Sequence, residues 1–120
     1  PMESTRLKKV SRLLEKDLGD IFQLMAKREF PGVLLTITKV RITPDLSQAK
    51  AYISVFPATN RTAIMKHIVT HTNAVRNELA GRVRQQLRII PDLQFFTDDS
   101  LDYTENIERL LRGEGENPIL

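Results

Sequence analysis

Residues 40–55 read VRITPDLSQAKAYISV. Alternation decides the second half: Ala49, Ala51, Ile53 and Val55 share one parity, and Lys50, Tyr52, Ser54 and Phe56 share the other. That pattern predicts a half-buried strand over 48–56. Thr43-Pro44-Asp45 before it is turn chemistry, with proline presetting φ and aspartate able to bond its own backbone. Upstream, VLLTITKVRI (33–42) is rich in β-branched residues and reads as the partner strand of a hairpin. Its parity is inconsistent, since Leu35 and Ile37 fall on one face and Val40 and Ile42 on the other. A β-bulge near Thr38-Lys39 reconciles the two halves.

Outward from the hairpin the period becomes helical. Leu7, Val10, Leu14, Leu18, Ile21 and Met25 recur at spacings of three and four, which predicts an amphipathic helix over 5–28. Ser4 or Thr5 can cap its start, and Pro31-Gly32 ends it. Downstream, Asn60 can cap a helix over about 61–79, with Ile64, Ile68, Val75 and Leu79 inward and Thr72 filling the gap. Ala80-Gly81 predicts a break, followed by a shorter helix over 82–88 that stops before Pro91. Leu93 to Thr97 reads as a third strand. A last helix is expected from Ser100, with Tyr103, Ile107, Leu110 and Leu111 inward. Residues 4–112 are thus expected to form one α+β domain, with helices on one face of a small sheet and a flexible tail at 113–120.

The 120 residues include no cysteine, so thiolate metal sites and thiol nucleophiles are excluded. No apolar run approaches the ~20 residues of a membrane span, and a cytoplasmic protein with no membrane partner is expected. His67 and His71 are spaced for one helix face, but Ile68 stands where a zinc protease needs its glutamate. The adjacent Asp98 and Asp99 point to opposite faces of a strand and do not converge. The five glycines form no phosphate-cradling loop. The chain therefore reads as a non-enzyme without a cofactor. Its charge is sorted: residues 6–16 carry net +4, residues 61–88 net +5 and residues 92–116 net −6. Such sorting suggests a polyanionic partner for one face.

The strings VRITPDLSQAKAYISV (40–55) and LRIIPDLQFFTDDS (87–100) together resemble the ribosome-binding factor A family. The likeness spans roughly residues 5–101, from Arg6 and Val10, through Val40, Asp45, Leu46, Ala49, Lys50, Tyr52, Ser54 and Val55, to Leu87, Arg88, Pro91, Leu93, Phe95 and Asp98. The resemblance implies a type II KH-like domain in α-β-β-α-α-β order, to which the last helix would be an addition. It implies an inter-helix kink in place of a GxxG loop; that place falls on His71-Thr72-Asn73, with Ala80-Gly81 the other candidate. It also implies bacterial cytoplasmic binding to the maturing 30S subunit and its 16S rRNA, help in late precursor processing, a role strongest in the cold, and release aided by a GTPase. A monomer is expected.

The RNA-binding residues expected on this basis are Arg6, Lys8, Lys9, Arg12, Lys66, Arg76, Arg82, Arg84 and Arg88. Arg84 and Arg88 would be neighbours on the short helix, anchored by Ile89, Ile90, Leu93 and Phe95. The local alternative for Arg88 is a pair with Asp92. No aromatic platform is evident, and Phe56 is assigned to core or strand-end packing, so recognition by shape and phosphate is expected. The competing class is a protein–protein adaptor that does not touch RNA.

Overall fold

The computed structural model describes residues 5–99. The elements are α1 (Thr5–Glu29), β1 (Leu34–Ile42), β2 (Gln48–Phe56), a 3-10 turn (Ala58–Asn60), α2 (Arg61–Thr70), α3 (Thr72–Val83) and β3 (Asp92–Thr97). The α-β-β-α-α-β order is therefore the one expected. The helix predicted from Ser100 and the tail at 113–120 lie outside the described residues. None of the described helices is long and apolar enough to cross a membrane.

The α1 stripe buries Val10, Leu14, Leu18, Ile21 and Met25, and widens to include Ser11, Phe22 and Ala26. The helix ends where Gly32 takes φ +87°, a conformation in which a Cβ is strained. The sheet order is β1-β2-β3, antiparallel between the first pair and parallel between the second. Ala49, Ala51, Ile53 and Val55 all face the helices and are buried. The predicted bulge is present: Ile37 opposes Ile53, Lys39 opposes Tyr52, and Thr38 is the extra residue. The Thr38 hydroxyl lies within bonding reach of the Tyr52 carbonyl and the Asp98 carboxylate, which pins the bulge to the end of β3. Beyond it, Val40 turns into the core while Lys39 and Arg41 turn to the open face of the sheet. At the centre of the core Phe22 meets Phe95 edge-on at 5.4 Å.

Three helical expectations need correction. The helix expected over 61–79 is interrupted at His71, where the resemblance placed the kink, and a φ of −102° and ψ of 24° leave the helical region there. The Thr72 hydroxyl bonds back to the Val69 carbonyl at 2.7 Å, a local bond that competes with the ladder. Ala80-Gly81 is no break, because α3 runs through it to Val83. A Cβ at Gly81 would meet nothing, so this glycine costs only about 1 kcal/mol of propensity, and buried Leu79 and Val83 on either side outweigh it. There is no 82–88 helix: the chain turns after Val83, with Gln86 and Leu87 both donating to the Val83 carbonyl. Pro91 disfavours helix at Ile90, and Ile89 is 61% exposed and anchors nothing.

The β1–β2 turn is held by Asp45, whose carboxylate accepts from the Ser47 amide (3.1 Å), the Ser47 hydroxyl (2.8 Å) and the Thr43 hydroxyl (2.8 Å). Within it Leu46 sits at φ +62°, uncommon for a branched side chain. The Ser47 amide, then the Ser47 and Thr43 hydroxyls, hold the Asp45 carboxyl below its ordinary value of 3.8. A depressed folded-state pKa gives stability that is complete above the ordinary value and is lost as pH falls through the folded one. Asp45→Ala is therefore expected to lower the melting midpoint at neutral pH, with the gap to wild type narrowing in acid below the ordinary value. Thermal melts across pH check this; a gap independent of pH would remove the carboxylate from the account.

Candidate nucleic-acid interface

The nine expected cations do not form one surface. Arg76 is a strut: its guanidinium donates to the Pro91 carbonyl (Nε, 3.0 Å) and the Ile90 carbonyl (Nη2, 2.7 Å), and stands 3.7 Å from Asp92. It fastens the entry of β3 to α3. Arg82 ties α3 to α1, with Nη1 at 3.7 Å from Asp17 and 3.5 Å from Asp20. These two cations are engaged with the molecule's own acceptors and leave the candidate set. Asp92, the local partner considered for Arg88, pairs with Arg76 instead. Lys66 on α2 and Arg84 after α3 are exposed but line neither groove described next, and Lys9 lies a step round α1 from Lys8.

The remaining cations gather beside the first turns of α1. Lys8 and Arg12 line a cleft of about 320 Å³ together with Ser11, Glu15, Lys39, Val40 and Arg41. Spacing of four on α1 puts Lys8 and Arg12 on one side, and the β1 edge contributes Lys39 and Arg41, which turn to the open face of the sheet. Four cations and one carboxylate thus line the cleft. Ser11 is only 7% exposed, and its hydroxyl has no hydrogen-bond partner among the described residues. An orphan buried hydroxyl costs about 1–3 kcal/mol, which an acceptor entering the cleft would offset. A neighbouring groove of about 370 Å³ is lined by Arg6 and Arg88 with Leu46, Leu87 and Ile89. Arg88 gets there not from a helix but from the segment after α3.

Lys39 and Arg41 were missed because charge counting favours dense runs, and they sit singly in an apolar strand. The parity mismatch that betrayed the bulge was the available signal. The open face of the sheet was missed as well. There Tyr52 stacks on Phe96 with ring centroids 5.5 Å apart, Lys39 lies over Tyr52 at 5.2 Å, and Lys50 lies over Phe96 at 6.0 Å. Phe56, assigned to packing, is exposed on this same face beside Leu34. Opposite, His67 Nε2 donates to the Glu29 carboxylate at 2.9 Å and its ring stacks on His71 at 4.1 Å, docking α2 on the end of α1. Among the described residues no three His, Cys, Asp or Glu side chains gather as a metal site.

The family model described as Ribosome-binding factor A matches residues 6–111. The protein of that name from Christiangramia forsetii is 43% identical over 118 residues, covering 98% of this chain and 89% of its own length. Its namesake from Cytophaga hutchinsonii is 43% identical over 110 residues, covering 92% and 83%. Among solved structures, the crystal structure of ribosome-binding factor A from Thermus thermophilus matches with a TM-score of 0.62 at 24% identity, covering 76% of this chain and 94% of that one. A homology model of the same protein, as fitted into a cryo-EM map of a 30S complex, matches with a TM-score of 0.54 at 26% identity, covering 72% and 89%.

Proposed function

The chain belongs to the ribosome-binding factor A family, and from that premise we propose that it binds the 30S ribosomal subunit and aids its late maturation. A fitted complex of the Thermus relative with the 30S subunit supports the partner. The contact is with phosphates of 16S rRNA, made by the face where α1 meets β1, and it assists processing of the rRNA precursor. The role is binding, not catalysis. The protein acts as a monomer, and release is aided by a GTPase partner.

One observation carries the mode of binding: Lys8, Arg12, Lys39 and Arg41 line one cleft, together with the buried Ser11 hydroxyl, which has no partner among the described residues. Guanidinium groups fork onto phosphate oxygens, ammonium groups act as point charges, and a rigid sheet and helix hold both in place. Arg6 and Arg88 extend the surface into the neighbouring groove.

With about four to six phosphates engaged, log affinity against log salt is expected to fall with a slope of about −3 to −5. Cosedimentation with immature small subunits over a salt series reads this directly. A slope near zero would favour the adaptor reading, which draws on the exposed apolar corner of Leu34 and Phe56.

A further inference from the structure

Phosphate contact leaves unexplained why a stacked pair of aromatic rings, Tyr52 and Phe96, stands on the uncovered side of the sheet. Register places them there. β1, β2 and β3 align Lys39, Tyr52 and Phe96 in one row across the three strands, and Arg41, Lys50 and Gln94 in the next. Core-facing residues alternate with these and are buried under the helices. No described element covers the open side, and Phe96 is 40% exposed. An apolar ring exposed in a row with cations is poorly suited to a hydrophobic partner, because closing an apolar surface over Lys39, Arg41 and Lys50 would strip water from three charges. A second copy docked face to face would set those cations against each other.

We propose that this face binds an unstacked nucleobase of single-stranded RNA. The inference rests on the reading that the partner is RNA and adds a base-contacting site to a phosphate-contacting one. The base stacks on the Tyr52–Phe96 pair, since every base offers a π-face to an aromatic ring. The Lys39 and Lys50 ammonium groups, which lie over the rings at 5.2 and 6.0 Å, move outward onto the flanking phosphates. Lys39 also lines the α1–β1 cleft, so a strand leaving the cleft passes round the β1 edge directly onto the rings.

The test uses the full chain and a fluorescein-labelled RNA of about eight nucleotides, intact or with abasic ribose at its central positions. The abasic strand keeps every phosphate. It is expected to bind at least about fivefold more weakly than the intact strand. Tyr52→Leu with Phe96→Leu, checked for an unchanged far-ultraviolet dichroism spectrum, is expected to weaken the intact strand and leave the abasic strand unaffected. Equal binding of intact and abasic strands overturns the base site while leaving the electrostatic reading intact. Failure of both strands to bind overturns both. Tighter binding by the double variant would give this face to the chain's own acidic segment after residue 99. A change in scattering mass would give it to a second copy. Either result overturns the proposal.

Discussion

Changing Arg12 and Arg41 together to glutamate is expected to lower affinity for the small subunit about a hundredfold at physiological salt. Each phosphate contact at that ionic strength is worth roughly 1 kcal/mol of counterion release, and reversal adds repulsion to the loss. The two residues lie on opposite walls of the cleft, one from α1 and one from β1. Both are exposed, so the melting midpoint is expected to stay close to wild type. The salt slope is expected to become shallower by about two. Cosedimentation at several salt concentrations measures all of this, and unchanged affinity would exclude the cleft. Arg82→Gln serves as the contrast. That side chain ties α3 to Asp17 and Asp20, so its loss is expected to leave the slope alone.

Phe22→Ala is expected to cost about 3–5 kcal/mol of folding free energy. Phe22 is fully buried, and its ring meets Phe95 edge-on, joining α1 to β3 through the middle of the core. Removing it takes away the apolar area, leaves a void in the core beside Phe95, and abolishes an aromatic pair of about 0.5–1.5 kcal/mol. For a domain of this length the midpoint should fall on the order of 20 °C. Urea unfolding followed by circular dichroism gives the free energy. A loss below about 1 kcal/mol would mean that the neighbours close over the gap and that the ring is not central to the core.

The helix α1, the hairpin and β3 were legible because each is written in a short period with punctuation close by. Even the bulge was legible, as a conflict of parity between Leu35-Ile37 and Val40-Ile42. The helical break was harder. Gly81 looks like a breaker, yet it faces open space between two buried anchors, while His71 breaks the helix without carrying any strong local signal. The candidate site was legible only in part, because a cation's role depends on what lies opposite. Arg82 is held by carboxylates more than sixty positions earlier in the chain, and nothing near it in sequence reveals them. Lys8 and Arg12 were identified from the charge of α1, but their partners across the cleft depend on strand register. The Tyr52–Phe96 stack needs the parallel pairing of β2 with β3, which joins segments more than forty residues apart.

Thr38 occupies a place of its own in β1, with no residue opposite it in β2. Were Thr38 to pair as an ordinary strand residue, inside and outside would be exchanged for the rest of the strand, driving Lys39 and Arg41 toward the helices and exposing Val40 and Ile42. The composition of the chain would not change, yet the sign of the surface and the greasiness of the interior would both be lost. A variant lacking Thr38 would instead keep every pairing of the strand, and would lose only the local bend and the tie from Thr38 to Asp98. The polarity of this face is therefore set by arithmetic as much as by chemistry: where the counting starts determines which side meets the solvent.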